Sequence, residues 1–238
     1  MIEIRSGVEL PARREAVNFT TSDGVELVGE LALPEQGAPL ATIVTLHPNP
    51  AQGGNMDSHI HRKLANRLPA LTQTAVLRFN TRGTSSPRGT SDGEFGDTHT
   101  EGPDVRAAVD FVLQRGLPAP WLVGWSFGTE LILKYGLDIA EVVGFILLSP
   151  PLYRVTPEQL ARWQGDPRPL IAMVPEFDSF LTPEQARAGF AMIPQIDIRP
   201  FAEAKHLWVG ETQARQVIDA IAEVVRPGSA PLPTSWPV

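Results

Sequence analysis

Cysteine is missing from all 238 residues. Its absence removes disulfides, thiolate nucleophiles and cysteine-based zinc or iron–sulfur sites from consideration. Basic excess is missing too: 20 Lys and Arg stand against 27 Asp and Glu, a formal net charge of −7. That sign argues against a protein that grips a phosphate backbone, and acidity of this size serves solubility without naming a partner. No apolar run approaches the roughly 18–20 residues needed to span a bilayer. The opening MIEIRSGVELPARRE has no apolar core of the kind a secretory signal carries. The expectation is a soluble, cytoplasmic protein with no nucleic-acid or membrane partner. Nothing in the composition indicates a homo-oligomer.

What is present is an ordinary globular composition, 42% hydrophobic and 20% charged, in a length that suits one large α/β domain. EAVNFTT and VELVGELAL alternate in polarity around Ser22-Asp23-Gly24, and Asp-Gly between such segments signals a β-hairpin. ATIVTL (41–46) is a continuous apolar and β-branched run suited to a strand buried on both faces, and TAVLRF (74–79), PWLVG (120–124), VVGFILLS (142–149), PLIAMVP (169–175) and QIDIRPF (195–201) read as further strands. Between them lie helical spacings: Ile60, Leu64 and Leu68; Val105, Ala108, Val109 and Val112; TELILKYGL; and ETQARQVIDAIAEVV. TPEQ occurs at 156–159 and 182–185, each with Thr at an N-cap position and Pro at the first helical residue. Such alternation implies a mostly parallel sheet with helices on both faces. The domain is expected to cover 1–226, followed by a Pro-rich tail, 227–238, that is extended or mobile.

The pattern G-x-S-x-G, which marks a strained turn carrying a nucleophilic serine, occurs twice: at Gly124–Gly128 around Ser126 and at Gly89–Gly93 around Ser91. Such a turn needs a strand before the serine and a helix after it. Ser126 has PWLVG before and TELILKYGL after, whereas Ser91 has polar loop on both sides. Ser91 therefore reads as a surface turn. The bland alternative for Ser126 is a helix cap.

A serine hydroxyl needs a base, nearly always histidine, held by a carboxylate. With this kind of turn the chain order is serine, acid, histidine. Of His47, His59, His61, His99 and His206, only His206 follows Ser126. The acid is expected after the strand PLIAMVP, where Asp178 is preferred. Glu176 is a close competitor and Asp166 a more distant one.

GWSFGT, LHPNPAQGGNMDSH, RFNTRGTSSPRG, EFDSFLTP and KHLWVG together resemble the α/β-hydrolase superfamily over nearly the full chain, in particular small bacterial esterase-like members with a minimal cap. The resemblance implies an α/β-hydrolase fold with a mostly parallel eight-stranded sheet and an antiparallel N-terminal hairpin. It also implies the acid at the Asp178 position and a His-Pro after the third strand in place of the more familiar His-Gly. Two residues depart from the pattern: Pro175 stands where relatives often have glycine, and Lys205 precedes the histidine where they often have an acid or small residue.

Acyl transfer builds negative charge on a carbonyl oxygen, which preorganised N–H groups stabilise. The Phe127 amide is one expected donor. In His47-Pro48-Asn49-Pro50 the prolines have no N–H, which leaves Asn49 as the second. His47 is expected to fix the shape of this loop. His59 and His61 are spaced to fall on different helix faces and lack acidic companions, so no metal is expected, and no cofactor. Gly53-Gly54 is expected to ease a chain reversal. Candidate pocket residues are Trp125, Phe180, Leu207, Trp208 and Arg82, although Arg82 more simply ties down the loop 80–98. Only about twenty residues separate Ser149 from Leu170, too few for a large lid, so the site should be shallow and take a small acyl group. The leading function is a serine esterase that needs no metal, with thioesters, lactones and activated amides as nearby substrates. The competing reading is a non-catalytic binding or scaffold protein on the same fold.

Overall fold

The computed structural model describes residues 1–237. Eight strands form one sheet: β1 (Arg13–Thr20), β2 (Glu26–Leu33), β3 (Ala41–Leu46), β4 (Thr74–Phe79), β5 (Pro120–Trp125), β6 (Gly144–Leu148), β7 (Leu170–Phe177) and β8 (Asp197–Lys205). Their spatial order is β8-β7-β6-β5-β3-β4-β2-β1. β3 to β8 pair in parallel, and β1–β2 and β2–β4 pair antiparallel. This is the mostly parallel α/β sheet with an N-terminal hairpin that the apolar runs imply. The hairpin turn uses its Asp-Gly as expected: Gly24 takes φ +85°, and the Thr21 hydroxyl accepts from the Val25 N–H at 2.9 Å.

Helices α1 (His59–Thr72), α2 (Gly102–Gln114), α3 (Phe127–Tyr135), α4 (Pro157–Ala161), α5 (Pro183–Gly189) and α6 (Glu211–Val225) connect the strands. Successive strand residues point to opposite faces, which explains why the central strands are apolar throughout. On one face Val44, Leu122, Phe145, Leu147 and Ala172 pack with α2 and α3 residues such as Val109 and Leu131. On the other, Ile43, Val123, Ile146, Leu148 and Met173 pack with α1 and α6 residues such as Leu64 and Ile218. A fully buried side chain of this size contributes roughly 1.5–3 kcal/mol, so both faces hold the sheet edge rigid beneath the loops it carries. Among the described residues no helix is long and apolar enough to cross a membrane.

Both TPEQ segments form capping boxes. Thr156 and Gln159, and likewise Thr182 and Gln185, bond each other's backbone N–H groups reciprocally. The segment after α6, expected from its prolines to be extended or mobile, is extended and docked on the domain; its last residue, Val238, lies outside the described residues. Ser235–Trp236 pairs antiparallel with Ile2–Glu3, and the Ile4 N–H donates to Thr234 O at 2.8 Å. Leu232 is buried against the α1–α6 side. Proline removes donors, but this segment needs few, because Arg215 and Asp219 of α6 bond the Leu232 backbone.

Ser91 also departs from expectation. It is buried rather than a surface turn: its hydroxyl donates to Asn80 O at 2.8 Å and accepts from the Val28 N–H at 2.9 Å. It stitches the loop 80–98 to β2. Ser91→Ala leaves two buried backbone groups unpaired and should cost about 1–3 kcal/mol of stability, measured by urea unfolding.

Candidate active site

Ser126 sits between the last residue of β5 and the first of α3, at φ +52° and ψ −113°. A non-glycine residue held there is strained, and such strain persists only where the surroundings impose it. The surroundings do so sterically. A Cβ on Gly128 would lie 1.9 Å from Leu46 O, and one on Gly124 would lie 2.4 Å from Gly128 O. Only glycine at both flanks lets the chain reverse this tightly against β3. Hydrogen bonds complete the turn: the Ser126 N–H donates to Leu148 O at 2.9 Å, and the Thr129 hydroxyl donates to Ser126 O at 2.6 Å. The serine side chain is left at the mouth of a cavity, half-buried.

His206 follows β8 directly, because the strand runs to Lys205 rather than ending at Phe201 as the apolar pattern suggests. Its Nε2 lies 3.0 Å from Ser126 Oγ, and its Nδ1 lies 2.9 and 3.0 Å from the two Asp178 oxygens. Asp178 is buried and its Oδ1 also accepts the Phe180 N–H at 2.8 Å. The competing acids lie elsewhere. Glu176 is exposed and accepts from the Glu203 N–H, while Asp166 pairs with Arg168. At Pro175 the register of β7 against β8 shifts, and the acid loop begins just beyond.

The Phe127 and Asn49 residues line the same cavity as Ser126, and neither amide donates to a protein acceptor among the described residues. The loop that carries Asn49 is held by His47. This ring is fully buried; its Nε2 accepts the Thr81 N–H at 3.1 Å, so its Nδ1–H donates to Pro48 O at 2.8 Å. The Pro48–Asn49 peptide is trans, so fixing its C=O aims its N–H the opposite way. Gly54 lets the loop fold back, since a Cβ there would lie 2.1 Å from Pro48 O.

Burial lowers the His47 pKa from its ordinary 6.5 to about 4. The unfolded chain therefore binds a proton in this window that the folded chain refuses, so stability rises with pH across it. The contribution is complete above pH 6.5 and is lost as pH falls towards 4, by up to about 3 kcal/mol. Burial pushes His61 the same way. Urea unfolding at pH 7 and pH 5 should show this loss, and His47→Gln should reduce it, leaving the part due to His61.

The cavity encloses about 290 Å³ and is walled by Asn49, Gln52, Phe127, Pro151, Tyr153, Arg154 and Phe180 around Ser126. The Phe180 ring stands 4.6 Å from that of His206. Of the other pocket candidates, Leu207 is exposed beside His206, outside the cavity wall. Trp125 is buried with His59 and His61 both against its ring, at 5.3 and 6.1 Å. These histidines thus meet one indole rather than diverging, because the ring is wide enough to take both edges. Trp208 is buried against Phe201. Arg82 pairs with Asp104 at 2.7 Å and with Asp23 at 2.8 Å, tying the loop to α2 and the hairpin turn. Tyr153, Arg154 and Pro151 carry no signal in the sequence, since the segment 150–155 has no periodicity.

The fold of this chain recurs in known proteins. The chain superposes on a solved lidless serine hydrolase of Xanthomonas campestris with TM-score 0.74 and 23% identity, covering 92% of this chain and 96% of that one. It superposes on the Pyrococcus furiosus esterase Pf2001 with TM-score 0.70 and 18% identity, covering 89% and 93%. An uncharacterized protein of Rickettsia prowazekii is 32% identical over 119 residues, 48% of this chain; the chain spans about half that relative's length, 46%. The sequence profile of the alpha/beta hydrolase family matches residues 43–237. With the sheet order, the Ser126 turn and that match in agreement, the chain belongs to the alpha/beta hydrolase family.

Proposed function

We propose that the protein is a serine esterase that cleaves small, uncharged esters through an acyl-enzyme. The observation that carries this reading is the unbroken chain of contacts from Ser126 Oγ through the His206 ring to Asp178. The Ser126 hydroxyl attacks the ester carbonyl while His206 Nε2 takes its proton. Asp178 holds the Nδ1–H and stabilises the imidazolium that forms. The Phe127 and Asn49 amides meet the developing oxyanion. His206 then returns the proton to the leaving oxygen, and the alcohol departs. Water, deprotonated by the same nitrogen, attacks the acyl-enzyme, and the carboxylic acid leaves with Ser126 restored.

The cavity supports the choice of substrate. Its volume fits a short acyl or aryl group, with Pro151, Tyr153, Phe127 and Phe180 as apolar walls. Arg154, the one charged side chain in that wall, is neutralised by Asp97 and by the fully buried Glu130. It offers no surplus charge to an anionic acyl group. The connection from Ser149 to Leu170 contains only the five-residue α4, in keeping with an open site like that of the lidless relative. A panel of p-nitrophenyl esters from acetate to laurate tests this. The expected result is a kcat/KM maximum at short chains, about tenfold or more above laurate, and rejection of the succinate half-ester. Equal rates across the panel would rule out the cavity as the acyl site. Failure of an alkyl fluorophosphonate to label the wild type would favour the non-catalytic binding protein.

A further inference from the structure

His206 is held by more than its ring contacts. Its own carbonyl oxygen accepts two side-chain hydrogen bonds, from Trp125 Nε1–H at 3.1 Å and from Ser149 Oγ–H at 3.1 Å. The next carbonyl, of Leu207, accepts from His59 Nε2–H at 2.7 Å. All three residues of the first pair of bonds are sequestered: Trp125 is 2% exposed, Ser149 1% and His206 8%. The Trp125 indole is itself fixed, edge-on to the His59 ring at an interplanar angle of 89° and to the His61 ring at 75°.

The two donors come from informative places. Trp125 is the last residue of β5 and immediately precedes Ser126, and Ser149 immediately follows β6. Ser149 is held at φ +49°, with its own N–H donating to Met173 O at 3.0 Å on β7. The carbonyl of the base is thus tied to the rigid centre of the sheet, one residue from the nucleophile, although His206 itself follows the edge strand β8. The strand before it is irregular: Glu203 sits at φ +57° and the register against β7 is broken. An edge strand with a broken register does not by itself hold an imidazole within a few tenths of an ångström of two partners, and proton transfer requires that.

We propose that Trp125 and Ser149, supported by His59, are positioning residues that fix the backbone of His206 and so set its ring between Ser126 and Asp178. This rests on the assignment of His206 as the base. A buried carbonyl that loses one donor keeps the other, so single losses are partly compensated and the double loss is not. The effect falls on the reacting geometry rather than on substrate binding, because neither side chain lines the cavity.

Ser149→Ala, Trp125→Phe and the double variant test the proposal. Three readouts are compared: kcat and KM on p-nitrophenyl acetate, the rate of phosphonylation by an alkyl fluorophosphonate per folded molecule, and the two-bond 1H–15N spectrum of the His206 imidazole. The expected result is a kcat loss of about 3- to 10-fold for each single variant and more than the product of the two for the double, with KM held within about twofold. Phosphonylation should slow in parallel, and the imidazole should change from one Nδ1–H tautomer to a mixture. Unchanged kcat and phosphonylation in the double variant would overturn the proposal, even if its melting temperature falls. If the wild type is not phosphonylated, the catalytic assignment itself fails and the imidazole spectrum decides alone. A single unperturbed tautomer in the double variant then overturns the positioning role, and a mixture supports it.

Discussion

Ser126→Ala should abolish labelling by a fluorophosphonate and lower turnover of small esters by about 10⁴–10⁶-fold. The size of the effect follows from what the residue is placed to do. Its oxygen is the one nucleophilic atom lying 3.0 Å from His206 Nε2, and alanine leaves the base with nothing to deprotonate but water. The fold should survive, because among the described residues the hydroxyl's contact is with the His206 ring and the turn is fixed by its backbone and by Gly124 and Gly128. Residual activity reflects the Phe127 and Asn49 amides, which still polarise a bound carbonyl. The same probe distinguishes the second G-x-S-x-G pattern. Ser91→Ala should lose stability yet label fully in its folded fraction. Label retained by the Ser126→Ala variant would place the nucleophile elsewhere.

Asp178→Asn should cut kcat by roughly 10²–10⁴-fold while KM moves little. An amide in that place is nearly isosteric, but its NH₂ end can donate to Nδ1. That favours the tautomer with the proton on Nε2, the wrong nitrogen to receive one from serine. It also removes the negative charge that stabilises the imidazolium formed during attack. Glu176→Gln serves as the control and should change kcat by less than about threefold, since its carboxylate faces the Glu203 backbone and not the ring. A large loss in Glu176→Gln with little in Asp178→Asn would reverse the assignment of the acid.

Much of this arrangement is legible in the chain, for identifiable reasons. The central strands read as continuous apolar runs because both sheet faces are covered, and ATIVTL and TAVLRF begin and end in the structure where the runs do. Ser126 stands out because strand and helix periodicity flank it, and His206 because it is the only histidine downstream. Asp178 is harder: the sequence offers Glu176 two residues away, and only the irregular end of β7 separates their directions. What is not legible depends on distant contacts. The burial of Ser91 comes from Val28 and Asn80, 63 and 11 residues away. The indole of Trp125 reads as a neighbour of the nucleophile, whereas its N–H reaches the backbone of a residue 81 positions on. The cavity wall at 151–154 is irregular chain, so no period announces it.

The two identical TPEQ segments have a practical consequence for altering the acyl specificity proposed here. One stretch of wall, 150–155, runs from the end of the central strand β6 to the capping box at Thr156; the other, 179–181, runs from Asp178 to the capping box at Thr182. Each is short and held by hydrogen bonds that involve neither the Tyr153 nor the Phe180 side chain; Arg154 anchors the first to Asp97 and Glu130. Tyr153 and Phe180 can therefore be exchanged for smaller or larger residues without disturbing the sheet, the turn at Ser126 or the helix starts, with Phe180 the more sensitive of the two because its ring packs on that of His206. Saturation libraries at these two positions should yield a high proportion of folded variants, with the acceptable acyl length shifting as the walls recede.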